Sequence, residues 1–357
     1  MRWNWLVGFV VLACSNQEPG EVTQPYDGPP IPWAYRSWPE AKAPADNPTT
    51  AEKVQLGRLL FYDPILSRDG RTACATCHSE IWGLSDGLAR SIGVDGEGPT
   101  GPGRTGPNRT LRNSPTLWNV ALVDDLFWDG REPALESQAL RPLEESGELG
   151  KDPDAAAKDI ASIEEYASLF RAAFPDEQQP VTRDTLAKSL AAFQRGFIAD
   201  RAPYDQYVAG DAGAMSASTQ RGMELFAEAG CHDCHAAPRF ASPRFEDRGI
   251  GGDDPGRFDA TGREVDRGRF RVPTLRNTRD SEPYFHDGSV ATLREAVEHE
   301  VTEQVRVGKS RSLDADEIDA ITKFIDKALT DRTREPHRPK QVPSGLPVPA
   351  DGFRIPR

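Results

Sequence analysis

The pentapeptide Cys74-Ala75-Thr76-Cys77-His78 recurs as Cys231-His232-Asp233-Cys234-His235. No other feature restricts the fold of this chain as severely. A Cys-x-x-Cys-His run is an attachment site for c-type haem: both thiols add to the vinyl groups, and the adjoining imidazole falls under the iron. The chain has five cysteines and six histidines in 357 residues, and the two runs take up four of those cysteines. A thioredoxin-like dithiol would need a βαβ setting, which surrounds neither run. Two Cys-x-x-Cys pairs can also share a zinc ion, but these lie far apart and each carries its own histidine. Two covalent haems are expected, one on Cys74, Cys77 and His78, the other on Cys231, Cys234 and His235.

A chain of this length can build two cores. Its hydrophobic content is 37%, with 31 glycines and 30 prolines, so two embedded porphyrins would supply much of each core. A net charge of −13 with no basic stretch argues against nucleic acid as a partner. The start reads as a targeting segment. Arg2 precedes an apolar run, Leu6 to Ala13, that ends at Cys14 and is too short to span a bilayer. A small residue before such a cysteine resembles a bacterial lipobox, in which the cysteine is lipidated and becomes the mature N-terminus. Ser15 after it favours the outer membrane. An ordinary cleaved signal peptide is the alternative, and both readings place the protein in the periplasm.

Residues 1–14 are thus set aside as signal peptide and lipobox, and 15–48 as a Pro-rich tether that Trp33, Tyr35 and Trp38 would dock. From Thr50 the spacing of Leu56, Leu59 and Leu60 predicts a helix. The Gly57/Phe61 pair in it is matched by Gly222/Phe226 before the second haem run, and resembles the first helix of class I cytochromes c, where glycine lets a C-terminal helix cross closely. A longer repeat follows each run. Pro115-Thr116-Leu117-Trp118-Asn119 and Phe127-Trp128-Asp129-Gly130 correspond to Pro273-Thr274-Leu275-Arg276-Asn277 and Phe285-His286-Asp287-Gly288 at identical internal spacing.

Further helical patterns cover 153–174, 182–198 and 314–329, the last opening at Asp314 with Glu317 three residues on. Residues 91–113 read as a Gly/Pro-rich loop too polar to pack. Strand signals are nearly absent. The expected fold is mainly α: two class I cytochrome c-like domains, each with one covalent c-type haem, spanning 49–205 and 206–335, followed by an irregular tail, 336–357.

The two haem runs, Phe127-Trp128-Asp129-Gly130-Arg131 and Pro283-Tyr284-Phe285-His286-Asp287-Gly288 resemble the bacterial di-haem cytochrome c peroxidase/MauG family, from about Ala45 to Leu329. The resemblance implies hydrogen peroxide as substrate at the N-terminal haem. Electrons would pass through the C-terminal haem from a small cytochrome c or cupredoxin. Trp128 falls where the family has a tryptophan between the haems, although a buried tryptophan can also be plain core. Gln138 and Glu148 match the glutamine and glutamate of the peroxide pocket, where a carboxylate moves the proton between the peroxide oxygens; the alternative is that Glu148, in an acidic run, is a solvated loop residue. A calcium ion between the domains would be held by Asn113 and the carbonyls of Ser281 and Pro283. A MauG-like oxidase acting on a protein partner, a non-catalytic electron carrier and a homodimer are further expectations.

Two positions depart from the family. Where other members have a distal histidine after Ser-Ile-Gly, this chain has Val94, and no histidine lies between His78 and His232. The first iron should then be open without reductive activation. At the second haem the family's methionine or tyrosine is replaced by Glu300. The adjacent His299 is the competing sixth ligand, and the sequence does not choose between it and Glu300 or water. His286 is read as ordering structure or a haem propionate, and His232 and His337 as solvent-facing.

Overall fold

The computed structural model describes residues 41–333 and 336–353. The signal peptide, the lipobox and most of the tether, Trp33, Tyr35 and Trp38 included, lie outside the described residues. Among the described residues no helix is long and apolar enough to cross a membrane. The molecule is mainly helical, and its strand content there is one antiparallel pair, β1 (Phe245–Glu246) with β2 (Phe270–Arg271).

The buried apolar side chains form two clusters. One runs from Leu56 to Ala199 and takes in Val342 from the tail; the other runs from Tyr204 to Leu329. In the first lobe, helix α1 (Ala51–Tyr62) is followed by α2 (Leu135–Glu144), α3 (Pro153–Ala161), α4 (Glu164–Ala173) and α5 (Arg183–Gln194). The pattern over 153–174 is therefore two helices, parted at Ser162 and Ile163. The second lobe is built from α6 (Ala217–Glu228), α7 (Leu293–Arg306) and α8 (Ala315–Lys323), and α8 runs on into a wider turn, Phe324–Ala328.

The same crossing organises both lobes. A Cβ on Gly57 of α1 would stand 2.0 Å from the Ser189 carbonyl oxygen of α5, and one on Gly222 of α6 would stand 2.0 Å from that of Ala320 in α8. Only glycine permits this backbone approach. One turn on, Phe61 meets Phe193 edge-on at 5.4 Å, and Phe226 meets Phe324 at 5.5 Å. Caps set the helix starts: Thr50 accepts from the Lys53 amide, while Asp314 and Glu317 bond each other's amides in a capping box.

The sequence repeat is a conformational repeat. Asn119 and Asn277 both adopt the left-handed conformation, with φ 60° and 55°. Asparagine tolerates that region, and its side-chain oxygen accepts a backbone hydrogen bond. Asn119 Oδ1 accepts from Ala199 N at 2.9 Å and Asn277 Oδ1 from Asp331 N at 2.7 Å, so each ties down the chain leaving its crossing helix.

Two irregular segments are more firmly seated than their composition suggests. In the 91–113 loop, expected to be too polar to pack, Ile92 and Val94 are fully buried. Arg104 anchors that loop by donating to the carbonyls of Ile92, Gly93 and Gly98 and to Thr72 Oγ1. Charge-assisted bonds to backbone carbonyls replace the missing apolar contacts. The tail, irregular over 336–353, lies along the first lobe: Arg338 pairs with Glu80 and Asp351, and Asp351 also accepts from Ser79 Oγ at 2.6 Å.

Candidate haem and peroxide site

Each Cys-x-x-Cys-His run is wound into one turn by the histidine amide, which donates to the first cysteine's carbonyl: His78 N to Cys74 O at 3.0 Å, His235 N to Cys231 O at 2.9 Å. That turn sets both cysteines and the imidazole on the wall of one cavity. All four cysteines are unpaired. The imidazoles are held alike. His78 Nδ1 donates to Leu84 O at 2.9 Å and His235 Nδ1 to Phe240 O at 3.1 Å, which leaves Nε2 as the free ring nitrogen. Burial pushes His78 down to about 4 and His235 in the same direction, so both rings are neutral and their Nε2 lone pairs available.

The first cavity, of about 800 Å³, carries Cys74, Cys77 and His78; the second, of about 170 Å³, carries Cys231, Cys234 and His235 among mostly apolar side chains. Paired thiols, a histidine of fixed tautomer and apolar walls fit a covalent haem in each. Among the described residues no group of three or more His, Cys, Asp or Glu side chains is placed to hold a metal ion, which removes a zinc site shared by the two cysteine pairs.

Gln138 on α2 and Glu148 on the turn beyond it both line the first cavity. Burial is the main cause that raises the Glu148 carboxyl to about 7; Glu145 adds to this and Arg131 opposes it. The segment that lacks a histidine is packed on this turn: Val94 N donates to Glu148 O at 2.8 Å, and a Cβ on Gly93 would lie 2.1 Å from Gly147 O. Val94 itself is fully buried.

Trp128 lines both cavities. Its Nε1 donates to Asn113 O at 2.9 Å, and its ring meets His286 edge-on at 6.3 Å. Arg271 also borders both, its amide donating to Trp128 O at 2.8 Å, and sequence reasoning did not single it out. Asn113, Ser281 and Pro283 come together around a small cavity of about 70 Å³ beside Trp128. Asn113 Nδ2 donates to Leu88 O, leaving the side-chain oxygen as its remaining donor atom toward a cation.

At the second cavity the two neighbouring residues part company. Glu300 lines it and pairs with Arg248, whose Nε donates to Glu300 Oε2 at 2.8 Å. His299 Nε2 donates instead to Arg248 O at 2.8 Å, and its ring packs edge-on against Phe285. His286 is buried, stacked on Phe270, and borders this cavity.

Residues 51–213 match the profile of the di-haem cytochrome c peroxidases. The chain is 38% identical over 260 residues to the methylamine utilization protein MauG of Methylorubrum extorquens, covering 72% of this chain and 70% of that one. It is 33% identical to the cytochrome c551 peroxidase of Nitrosomonas europaea, covering 80% of this chain and 82% of that one. A crystal structure of a MauG-like protein associated with microbial copper homeostasis superposes with a TM-score of 0.70 at 30% identity, over 89% of this chain and 98% of that one. With two cavities of one plan and this similarity along most of its length, the chain belongs to the di-haem cytochrome c peroxidase/MauG family and is an oxidoreductase of the peroxidase type.

Proposed function

We propose that this protein is a periplasmic di-haem peroxidase, anchored to the outer membrane by a lipid on Cys14, that reduces hydrogen peroxide with electrons from a small cytochrome c or cupredoxin. The observation that carries the reading is that Gln138 and Glu148 share the first cavity with Cys74, Cys77 and His78, with Glu148 held near neutrality. Covalently attached haem would supply an iron above His78 to take the peroxide and one above His235 to pass on electrons.

The chain's own residues then do the following. Gln138 orients the peroxide. Glu148 accepts the proton of one peroxide oxygen and delivers it to the other, which leaves as water. A carboxyl near 7 serves both steps, because it is populated in both forms at neutral pH. Two electrons and two further protons complete the reduction to two waters. Trp128, on the wall of both cavities, is the relay between them. Val94, in place of a histidine, leaves the first site open without prior reduction. A calcium ion among Asn113, Ser281 and Pro283, with water completing its shell, would stiffen the contact behind Trp128.

The second reading is a MauG-like oxidase acting on a protein partner, and the 38% identity to a MauG favours it. Turnover of peroxide by the holoprotein with a reduced cytochrome c or cupredoxin separates the two. Peroxide consumption matched to donor oxidation supports the peroxidase. Peroxide consumed with no donor oxidised supports the second reading.

A further inference from the structure

The second cavity carries polar chemistry that an electron relay does not need. Helix α7 turns Leu293, Val297, Glu300 and Gln304 onto its wall at successive helical turns. The first two are apolar and the last two are not. Gln304 is 6% exposed, and its Oε1 has no hydrogen-bond partner. A buried amide oxygen left in this way costs stability unless a ligand donates to it. From a second wall, Arg248 holds Glu300 in an ion pair of 2.6 Å. Glu300 and Arg248 share the cavity wall with Cys231 and His235, so the pair faces the attachment site.

His299 does not compete for this position, because its Nε2 is spent on the Arg248 carbonyl. His286 Nε2 is buried without a hydrogen-bond partner, but its ring is stacked on Phe270 and packed against Gly251. The carboxylate of Glu300 already has a guanidinium partner. A haem attached at Cys231 and Cys234 would take up most of this cavity, so the room left beside Arg248 and Gln304 is that of a small molecule.

Resting on the di-haem reading above, we propose that the second cavity is itself a small-ligand site, in which Arg248 donates to, and Gln304 accepts from, a hydroxylic molecule of the size of water or hydrogen peroxide. Glu300 orients Arg248, and no side chain among the described residues closes the second iron.

The test uses the full-length holoprotein in its oxidised form, with haems counted first by the pyridine haemochrome spectrum, and fluoride as the probe. Optical and EPR titration is expected to show two fluoride-binding steps. Arg248→Leu weakens one step about tenfold or more, the scale of one lost charge-assisted hydrogen bond, and spares the other. Arg248→Gln reads the same step should Arg248→Leu not fold. One fluoride step beside a low-spin second iron overturns the site and leaves the peroxidase reading standing. Two steps unmoved by either substitution also overturn it. Fewer than two haems per chain defeats the di-haem reading itself.

Discussion

Glu148→Gln is expected to change activity and stability in opposite directions. The carboxyl is held at about 7 against an ordinary 4.5, chiefly by burial. At pH 6 about a tenth of it is ionised, at pH 7 about half, so turnover in the native protein rises about fivefold from pH 6 to pH 7. Removing the group costs about 10²–10⁴ in turnover, the usual contribution of a positioned acid–base residue, and abolishes the pH limb near 7. The stability sign is reversed. Because the fold raises this pKa, stabilisation by the protonated form is complete below about 4.5 and is lost as pH rises through 7. Glutamine carries no such burden. At pH 8 the variant should gain on the order of 1–3 kcal/mol, below the limit of about 3.4 set by the full shift because one side of the carboxyl faces the cavity. Steady-state peroxide turnover from pH 5.5 to 8.5, with urea unfolding at pH 5 and 8, measures both. Unchanged turnover with an unchanged pH profile would refute the acid–base role.

Gly57→Ala and Gly222→Ala should each cost about 1–3 kcal/mol or more in urea unfolding, because a Cβ 2.0 Å from a carbonyl oxygen forces the crossing helices apart. Trp128→Phe should keep both haems yet slow reoxidation of the second by peroxide in stopped-flow traces, and should lose about 1–2 kcal/mol through the unpaired Asn113 carbonyl. Arg338→Ala frees the tail from Glu80 and breaks its internal pair with Asp351, and should lower stability by about 2 kcal/mol and make the tail sensitive to limited proteolysis.

The Cys-x-x-Cys-His runs were legible because their residues are contiguous. The helix crossing was legible because a glycine one turn before an aromatic has few other uses at that place. The choice between His299 and Glu300 was not. Neighbours on a helix point about 100° apart, and which of them meets a cavity depends on a rotation that the whole core sets. Arg248, which decides the chemistry there, sits in an irregular loop with no period to mark it. The seating of the 91–113 loop was missed for a related reason: hydropathy records apolar burial, whereas Arg104 holds that loop through carbonyls. Arg338 and Glu80 are distant in sequence, and a long-range ion pair leaves no local trace.

The most direct test of an open, His78-ligated first site is the EPR spectrum of the fully oxidised holoprotein before and after one equivalent of hydrogen peroxide, with no reductant present. The account predicts a high-spin ferric signal that loses intensity at once on addition, and a slower loss in Glu148→Gln. Two low-spin signals that peroxide leaves untouched would contradict it.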